Sequence, residues 1–246
     1  MMIVDGVNIT TMFGGRIEFL DYTLPPPSYN RYITTTDIDR KIPNKRVSVG
    51  VRDIKVRVAF NDNKENAYIM MSALTSILSD ALVNFGGAIT YRVVISNSGE
   101  FDMKTPKLFE WAFYLQMLDK LGPEVVVETT NTSGPVEAFN FGTYKTPVVI
   151  EITPKHSSVT SVSVVGLLGY HSTIPLTISG TSLNKKIIID GELCKIVEMT
   201  GSTEANKFLS SNLVSFPEIG PAQTTALTFT PSTNLEVKIT FKPRYI

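Results

Sequence analysis

Two histidines, one cysteine and 23 carboxylates are the groups with which this sequence could do acid–base, nucleophilic or metal chemistry. A Ser-His-Asp relay would need His156 or His171. Both lie among serines and threonines in loop-like surroundings, and the chain has no Gly-x-Ser-x-Gly elbow to present a serine. They read as surface histidines. Cys194 follows a turn and opens an apolar stretch, so it reads as a small buried hydrophobe. A nucleophilic thiol would need an electropositive setting that its neighbours do not supply. No zinc spacing, Walker loop or dinucleotide glycine fingerprint occurs. Paired carboxylates for glycoside hydrolysis assemble only in the fold, so that chemistry stays open. The acids are sparse and fall at turns or on the polar side of strand patterns, where solvation explains them. The sequence therefore assigns no catalytic, cofactor or metal residues, expects no cofactor, and reads as a non-enzyme.

What elements would hold such residues follows from composition. Lys+Arg and Asp+Glu are both 23 in 246 residues, a formal charge of zero that disfavours a globally basic nucleic-acid binder. Hydrophobic residues at 43% and charged ones at 19% describe a chain with a core, not a disordered one. One cysteine allows no internal disulfide. No apolar run approaches the ~20 residues of a membrane-spanning helix, and Met1-Met2-Ile3-Val4-Asp5-Gly6 lacks the basic start of a signal peptide. The wealth of Val, Ile and Thr favours sheet.

The first half reads as a mostly β domain. A short apolar strand with turns at Asp5-Gly6 and Gly14-Gly15 is expected over 1–20, with Ile17, Phe19 and Tyr22 facing the core. After Pro25-Pro26-Pro27, apolar positions Val47, Val49 and Val51 are odd-numbered, whereas Ile54, Val56, Val58 and Phe60 are even. A phase change near Arg52-Asp53 implies a bulge or a change of sheet environment. Residues 31–51 accordingly read as a projecting β-hairpin arm whose return strand enters the core. The arm mixes Arg31, Arg40, Lys41, Lys45 and Arg46 with Asp37 and Asp39. It is either a solvated hairpin with charges that protect its edge or an arm that pairs with a second copy. Contact with nucleic acid is disfavoured, because Tyr32 is the arm's one aromatic and no run is purely positive. Residues 62–85 are expected to form a helix, with Asp62 and Glu65 as a capping box and Gly86-Gly87 ending it. Tyr91 to Ile95 reads as a strand ended by Asn97-Ser98-Gly99. Residues 108–118 fit strand and helix; the strand is favoured, with Trp111 as a core anchor.

Residues 128–135 carry no apolar side chain and mark a linker, dividing the chain into domains 1–133 and 134–246. Beyond it, short strands and regularly spaced turns at Thr153-Pro154, Ser179-Gly180, Asp190-Gly191, Thr200-Gly201, Gly220-Pro221 and Pro231-Ser232 are the pattern of an all-β sandwich. The fold class is mainly β. A sandwich of this kind can offer a shallow glycan face built on an exposed aromatic. Tyr170, beside His171, is the one candidate platform, since most of the other aromatics sit in apolar contexts.

Phe141-Gly142-Thr143-Tyr144-Lys145-Thr146-Pro147-Val148-Val149-Ile150-Glu151-Ile152 resembles the start of the C-terminal domain of phage distal tail proteins. Ile189-Asp190-Gly191, Ser215-Phe216-Pro217-Glu218-Ile219-Gly220-Pro221 and the ending Val237-Lys238-Ile239-Thr240-Phe241-Lys242-Pro243-Arg244-Tyr245-Ile246 are similar to that family's hairpin, Phe-Pro turn and terminal basic-aromatic strand. The first half matches in plan only, and residues 100–122 have no counterpart. The resemblance implies an N-terminal domain with one helix and a projecting arm, and a galectin-like C-terminal sandwich. It implies a protein of long non-contractile-tailed phages of Gram-positive hosts, assembled in the host cytoplasm and residing at the virion tail tip. Its partners would be itself, as a homohexameric ring, the tail tube protein, the tail-tip hub and a receptor-binding protein, with no membrane and no nucleic-acid specificity. Carried over by position, the subunit contact falls on Arg31, Tyr32, Thr34, Thr36, Asp37, Asp39, Arg40, Lys41, Lys45, Arg46, Val47 and Val49. Larger relatives carry inserted carbohydrate-binding modules, for which 246 residues leave no room. A stand-alone glycan- or receptor-binding module and a wall-polymer hydrolase remain the alternatives.

Overall fold

The structure is a computed structural model that describes residues 1–24, 32–33, 42–43, 52–130, 134–170 and 173–245. It divides into two compact units, Met1–Leu121 and Gly122–Tyr245.

The first unit is built on one seven-stranded antiparallel sheet. Its elements are β1 (Ile3–Val4), β2 (Val7–Asn8), α1 (Ile9–Met12), β3 (Ile17–Thr23), β4 (Tyr32–Ile33), β5 (Ile42–Pro43), β6 (Arg52–Asn61), α2 (Lys64–Ile77), β7 (Ala81–Asn84), β8 (Thr90–Thr105) and β9 (Leu108–Leu121). The strand order is β2-β1-β7-β8-β9-β6-β3, with β4 and β5 forming a separate pair. Asp5 (φ 48°) and Gly6 (φ 84°) make the tight β1–β2 turn, a left-handed pair suited to a two-residue hairpin. The even-numbered residues Ile54, Val56, Val58 and Phe60 of β6 and the odd-numbered Phe109, Trp111, Phe113 and Leu115 of β9 are all buried. Register places them opposite one another: Val56 faces Phe113 and Val58 faces Trp111. Ala67, Met70 and Leu74 of α2 close this core from above. Each large side chain removed from water here contributes roughly 1.5–3 kcal/mol.

Four expectations change in this unit. Tyr22, expected to face the core, is exposed and stacks on Phe85. Residues 9–12, expected within a strand-and-turn segment, form α1, capped by the Asn8 side chain accepting from Thr10 N at 3.0 Å. The helix expected over 62–85 is α2 and stops at Ile77. Residues 81–84 instead form β7, paired to β8, because Ala81 and Val83 alternate into the core. Apolar residues three or four apart across that boundary mimicked one helical face. Gly86-Gly87 therefore turns a hairpin and does not end a helix. Asn63, not Asp62, is the cap, accepting from Asn66 N at 2.9 Å. Finally, Asn97-Ser98-Gly99 does not end a strand. It is an irregularity inside β8, which continues to Thr105 against β9. Gly99 (φ 55°) makes this possible, since a Cβ there would lie 1.9 Å from the Ala112 carbonyl oxygen. The Trp111 indole N–H donates to the Ser98 carbonyl across the same bulge. Residues 108–118 are strand, as the aromatics suggested.

The second unit is a β-sandwich. Its elements are β10 (Val125–Thr130), β11 (Val136–Asn140), β12 (Thr146–Pro147), β13 (Val149–Pro154), β14 (Ser161–Val165), β15 (Leu176–Ser179), β16 (Lys186–Asp190), β17 (Lys195–Thr200), β18 (Thr203–Asn206), β19 (Glu218–Ile219), β20 (Gln223–Thr230) and β21 (Leu235–Phe241). A six-stranded sheet, β10-β21-β13-β16-β17-β18, faces a four-stranded one, β11-β20-β14-β15, and β12 pairs with β19. Ile150, Ile152, Ile187, Ile189, Val237 and Ile239 from one sheet and Val162, Val164, Leu227 and Phe229 from the other fill one core. Five of the six turns expected from sequence fall at or between strand ends; Thr153-Pro154 does not, because it closes β13 and pairs with Glu236 and Leu235 of β21.

The unit boundary lies at 121/122, not at 133/134. Glu128 to Thr130, read as linker, belong to β10 and pair with β21. The Glu128 and Thr130 side chains lie on the exposed face, while Val125 and Val127 of the same strand pack on the core. One-sided burial gave the strand end the composition of a linker.

Candidate subunit interface and exposed faces

Of residues 31–51, read from sequence as an arm, the structure describes two short strands, β4 and β5. Tyr32 pairs with Pro43 and Ile33 with Ile42, antiparallel. Residues 24–51 connect β3 to β6, which are themselves hydrogen-bonded neighbours, with Thr23 opposite Lys55. β3 is an edge strand of the sheet. Chain positions 24 and 51 therefore both join the sheet at one end of one edge. Arg31, Thr34, Thr36, Asp37, Asp39, Arg40, Lys41, Lys45, Arg46, Val47 and Val49 lie outside the described residues, as does His171.

The sheet face opposite α2 is charged. Arg57 lies 3.5 Å from Asp21 and 3.7 Å from Glu110, and Lys104 lies 2.6 Å from Asp102 and 3.7 Å from Glu110. The Asp102 carboxylate beside Lys104 raises that ammonium's pKa. At the start of α2, Asp62 accepts from the Asn66 side chain and Asn63 N, with Arg16 3.3 Å away. The hydrogen bond from the Asn66 side chain leads in holding this carboxyl below its ordinary range.

Tyr170 is not a surface platform. Its ring is 3% exposed. Its hydroxyl donates to Ser215 O at 2.5 Å and accepts from Val214 N at 2.9 Å and Ser215 N at 3.0 Å. The side chain ties the 211–215 segment to the core, and no face of it is left for a sugar. Other aromatics, read as sitting in apolar contexts, are exposed instead. Phe139 and Phe141 form an edge-to-face pair, ring centres 4.5 Å apart, on β11 and just beyond it, and Tyr144 follows. Cys194, expected to be buried, is exposed and adopts φ 53° in the β16–β17 turn. The cap of that turn is Asp190, which accepts from Glu192 N and Leu193 N. His156 Nδ1 lies 2.7 Å from Ser158 Oγ, and Ser158 N donates to the same nitrogen at 3.2 Å. That geometry closes a local turn on the surface. Among the described residues, no group of three or more His, Cys, Asp and Glu is placed to hold a metal.

What the sequence did not reveal is the pattern on the outer face of the six-stranded sheet. Strand register aligns one row Glu128–Lys238–Glu151–Ile188 across β10, β21, β13 and β16 and a second, Thr130–Glu236–Thr153, across the first three. Acid and base alternate over the first three positions of the first row, and Glu236 of the second row sits beside Lys238 of the first. Lys238 pairs with Glu128 at 3.1 Å, Lys186 with Glu151 at 2.6 Å, and Lys155 with Glu236. The bond from Lys155 holds the Glu236 carboxyl below its usual range, and Glu128 raises Lys238. The side chains border a groove of about 510 Å³. Only strand register, which a linear reading does not supply, brings residues more than a hundred positions apart into these rows. A second ionic group lies nearby in sequence: buried Glu198 sits 3.6 Å from Lys185 and 3.4 Å from Lys207, and Lys207 also donates to Gly180 O at 2.7 Å.

No family model and no curated protein matches this sequence. The fold does match solved structures. The crystal structure of the phage SPP1 Dit protein, described as a paradigm of the hub adsorption apparatus of phages infecting Gram-positive hosts, superimposes with a TM-score of 0.73. The match covers 100% of this chain and 98% of that one, at 16% identity. Two structures of the phage p2 baseplate in its activated conformation, with Sr and with Ca, match with TM-scores of 0.57 and 0.54. Each is 12% identical over 93% of this chain and 91% of the matched chain. At such identities the shared property is the fold, and that fold is the one found in phage distal tail and baseplate proteins.

Proposed function

We propose that this chain is a structural, non-catalytic protein of a phage tail tip. Six copies close into a ring, with residues 31–51 of each reaching the next. The ring joins the tail tube to the tail-tip hub and anchors the proteins that meet the host receptor. The observation that carries this reading is the end-to-end match of both units to a Dit protein. A fragmentary likeness would have supported only a shared sandwich.

The physical basis is self-complementarity. A ring needs a heterologous contact that closes after a fixed number of copies, and strand pairing at an edge provides one. Both sides come from one sequence, so acids and bases mixed in the same arm can meet across the joint. Arg40, Lys41, Lys45 and Arg46 against Asp37 and Asp39 are the pairs to expect.

The purified chain should show sixfold rings in negative stain and the mass of six copies in light scattering. Deletion of residues 33–49 should leave a folded single copy. A deletion variant that still sizes as a ring refutes the role given to the arm. A full-length chain that stays monomeric at tens of micromolar counts against the ring itself. Zymography of the pure protein on host cell walls should show no clearing.

A further inference from the structure

We infer that the groove on the outer face of β10, β21, β13 and β16 binds an uncharged, polyhydroxylated ligand, namely a short stretch of saccharide. At about 510 Å³ it falls within the range of small-molecule sites, ~300–1,000 Å³. Its lining is unlike that of most such sites. Glu128, Glu151, Glu236, Lys155, Lys186 and Lys238 surround it, and the one apolar lining residue, Val237, turns its side chain into the core. An apolar ligand would gain little burial there.

Charge narrows the class further. Three carboxylates meet three ammonium groups, each in an ion pair. A polyanion would have to displace the acids and a polycation the bases, and neither finds a net field. What the groove offers is alternation. An ammonium group has three N–H donors and a carboxylate about four acceptor sites, and one ion pair leaves most of both unused. Pairing also holds long side chains in place before anything binds, which lowers the entropy lost on binding. The Thr153 hydroxyl and Asn184 amide extend the array. A sugar hydroxyl donates and accepts at once, so a run of neighbouring hydroxyls is the neutral chemistry that fits alternating donors and acceptors. With no aromatic ring in the groove to stack on, binding at one copy is expected in the millimolar range.

This inference does not depend on ring formation, so the two fail separately. The full-length chain is applied to a printed array of neutral and acidic oligosaccharides. The best neutral hit is then followed by saturation-transfer NMR on the free sugar. Binding by one or more neutral oligosaccharides, retained in about 0.5 M NaCl where exposed charge attraction is screened, is the expected result. The double variant Lys186→Met/Glu151→Gln removes one ion pair without changing net charge. It should weaken binding at least about tenfold, as losing hydrogen bonds to charged groups would. Thr153→Tyr, which fills the groove and leaves the ion pairs in place, should do the same and decides the matter if the double variant does not fold. Phe141→Ala, on the other sheet's edge, should have no effect. Failure of every neutral oligosaccharide to bind overturns the inference. So does binding limited to acidic glycans and lost in salt, or a loss that follows Phe141→Ala and spares both groove variants.

Discussion

Removing one oxygen from Tyr170 tests how the second unit is held together. Tyr170→Phe keeps the buried ring and deletes a hydroxyl that makes three hydrogen bonds to the backbone of residues 214 and 215. At roughly 0.5–1.5 kcal/mol for each bond, the sum spans about 1.5–4.5 kcal/mol. Val214 is 74% exposed, so water can replace part of what its N–H loses, and the lower half of that range applies, about 2 kcal/mol. For a unit of this size, melting shifts by about 4 °C per kcal/mol, giving a fall of about 8 °C. Tyr170→Ala adds a core cavity and should cost a further ~3–5 kcal/mol. The two units can be followed separately. Trp111, the only tryptophan, reports on the first, and a dye on exposed Cys194, the only cysteine, reports on the second. The dye transition of Tyr170→Phe should fall by about 8 °C while the Trp111 transition serves as internal reference. A dye transition that stays within about 1 °C of wild type refutes the assigned role of the hydroxyl. The same reasoning means that ligand binding lost in Tyr170→Ala would report unfolding, not a missing contact.

Gly99→Ala should destabilise the first unit by about 3 kcal/mol or more, because the new Cβ meets the Ala112 carbonyl and φ is positive. Chemical unfolding followed by Trp111 fluorescence checks this, and an unchanged midpoint would show that the bulge relaxes freely. Asn140→Ala leaves Gly142 N, Tyr144 O and Gly220 O without their buried amide partner. A loss of about 2–4 kcal/mol is expected for the second unit, read by the Cys194 dye. Asp62 has a lowered pKa in the folded chain, so its contribution is present above the ordinary carboxylate range and disappears as pH falls through the lowered folded value. Asp62→Asn should flatten that acid limb of the stability curve, and a limb identical to wild type would contradict the assignment.

The second unit was the more legible in sequence. Its strands alternate cleanly, as in Leu235, Val237, Ile239 and Phe241, and its turns carry Gly, Pro, Asn or Asp, so period and punctuation agreed. Where the two signals conflicted, the reading slipped. Residues 78–85 satisfy a helical step and a strand alternation together, and only pairing to β8 decides between them. Asn97-Ser98-Gly99 has the chemistry of a turn, but a long-range register absorbs it as a bulge. The proposed interaction surfaces were legible in unequal measure. The proposed arm rests on a phase change within one segment, which a linear reading can see. The groove could not be seen that way, because its lining joins residues 128, 151, 186 and 238, which a linear reading never sets side by side. Burial of Tyr170 was hidden for the same reason: its partners lie 44 and 45 residues away.

The second unit begins and ends on the same two strands. Val125 at its start lies opposite Phe241 near its end, and Gly122 N donates to Pro243 O at 2.7 Å. A body whose entry and exit touch is a cassette. It can be lifted out and another placed on the same two stems without altering the chain that precedes it. It should likewise accept a circular permutation that joins 245 to 122 and opens new ends in the exposed turn at Gly201. In a lineage under pressure to change what it meets, such a module can be exchanged whole while the architecture that carries it stays fixed.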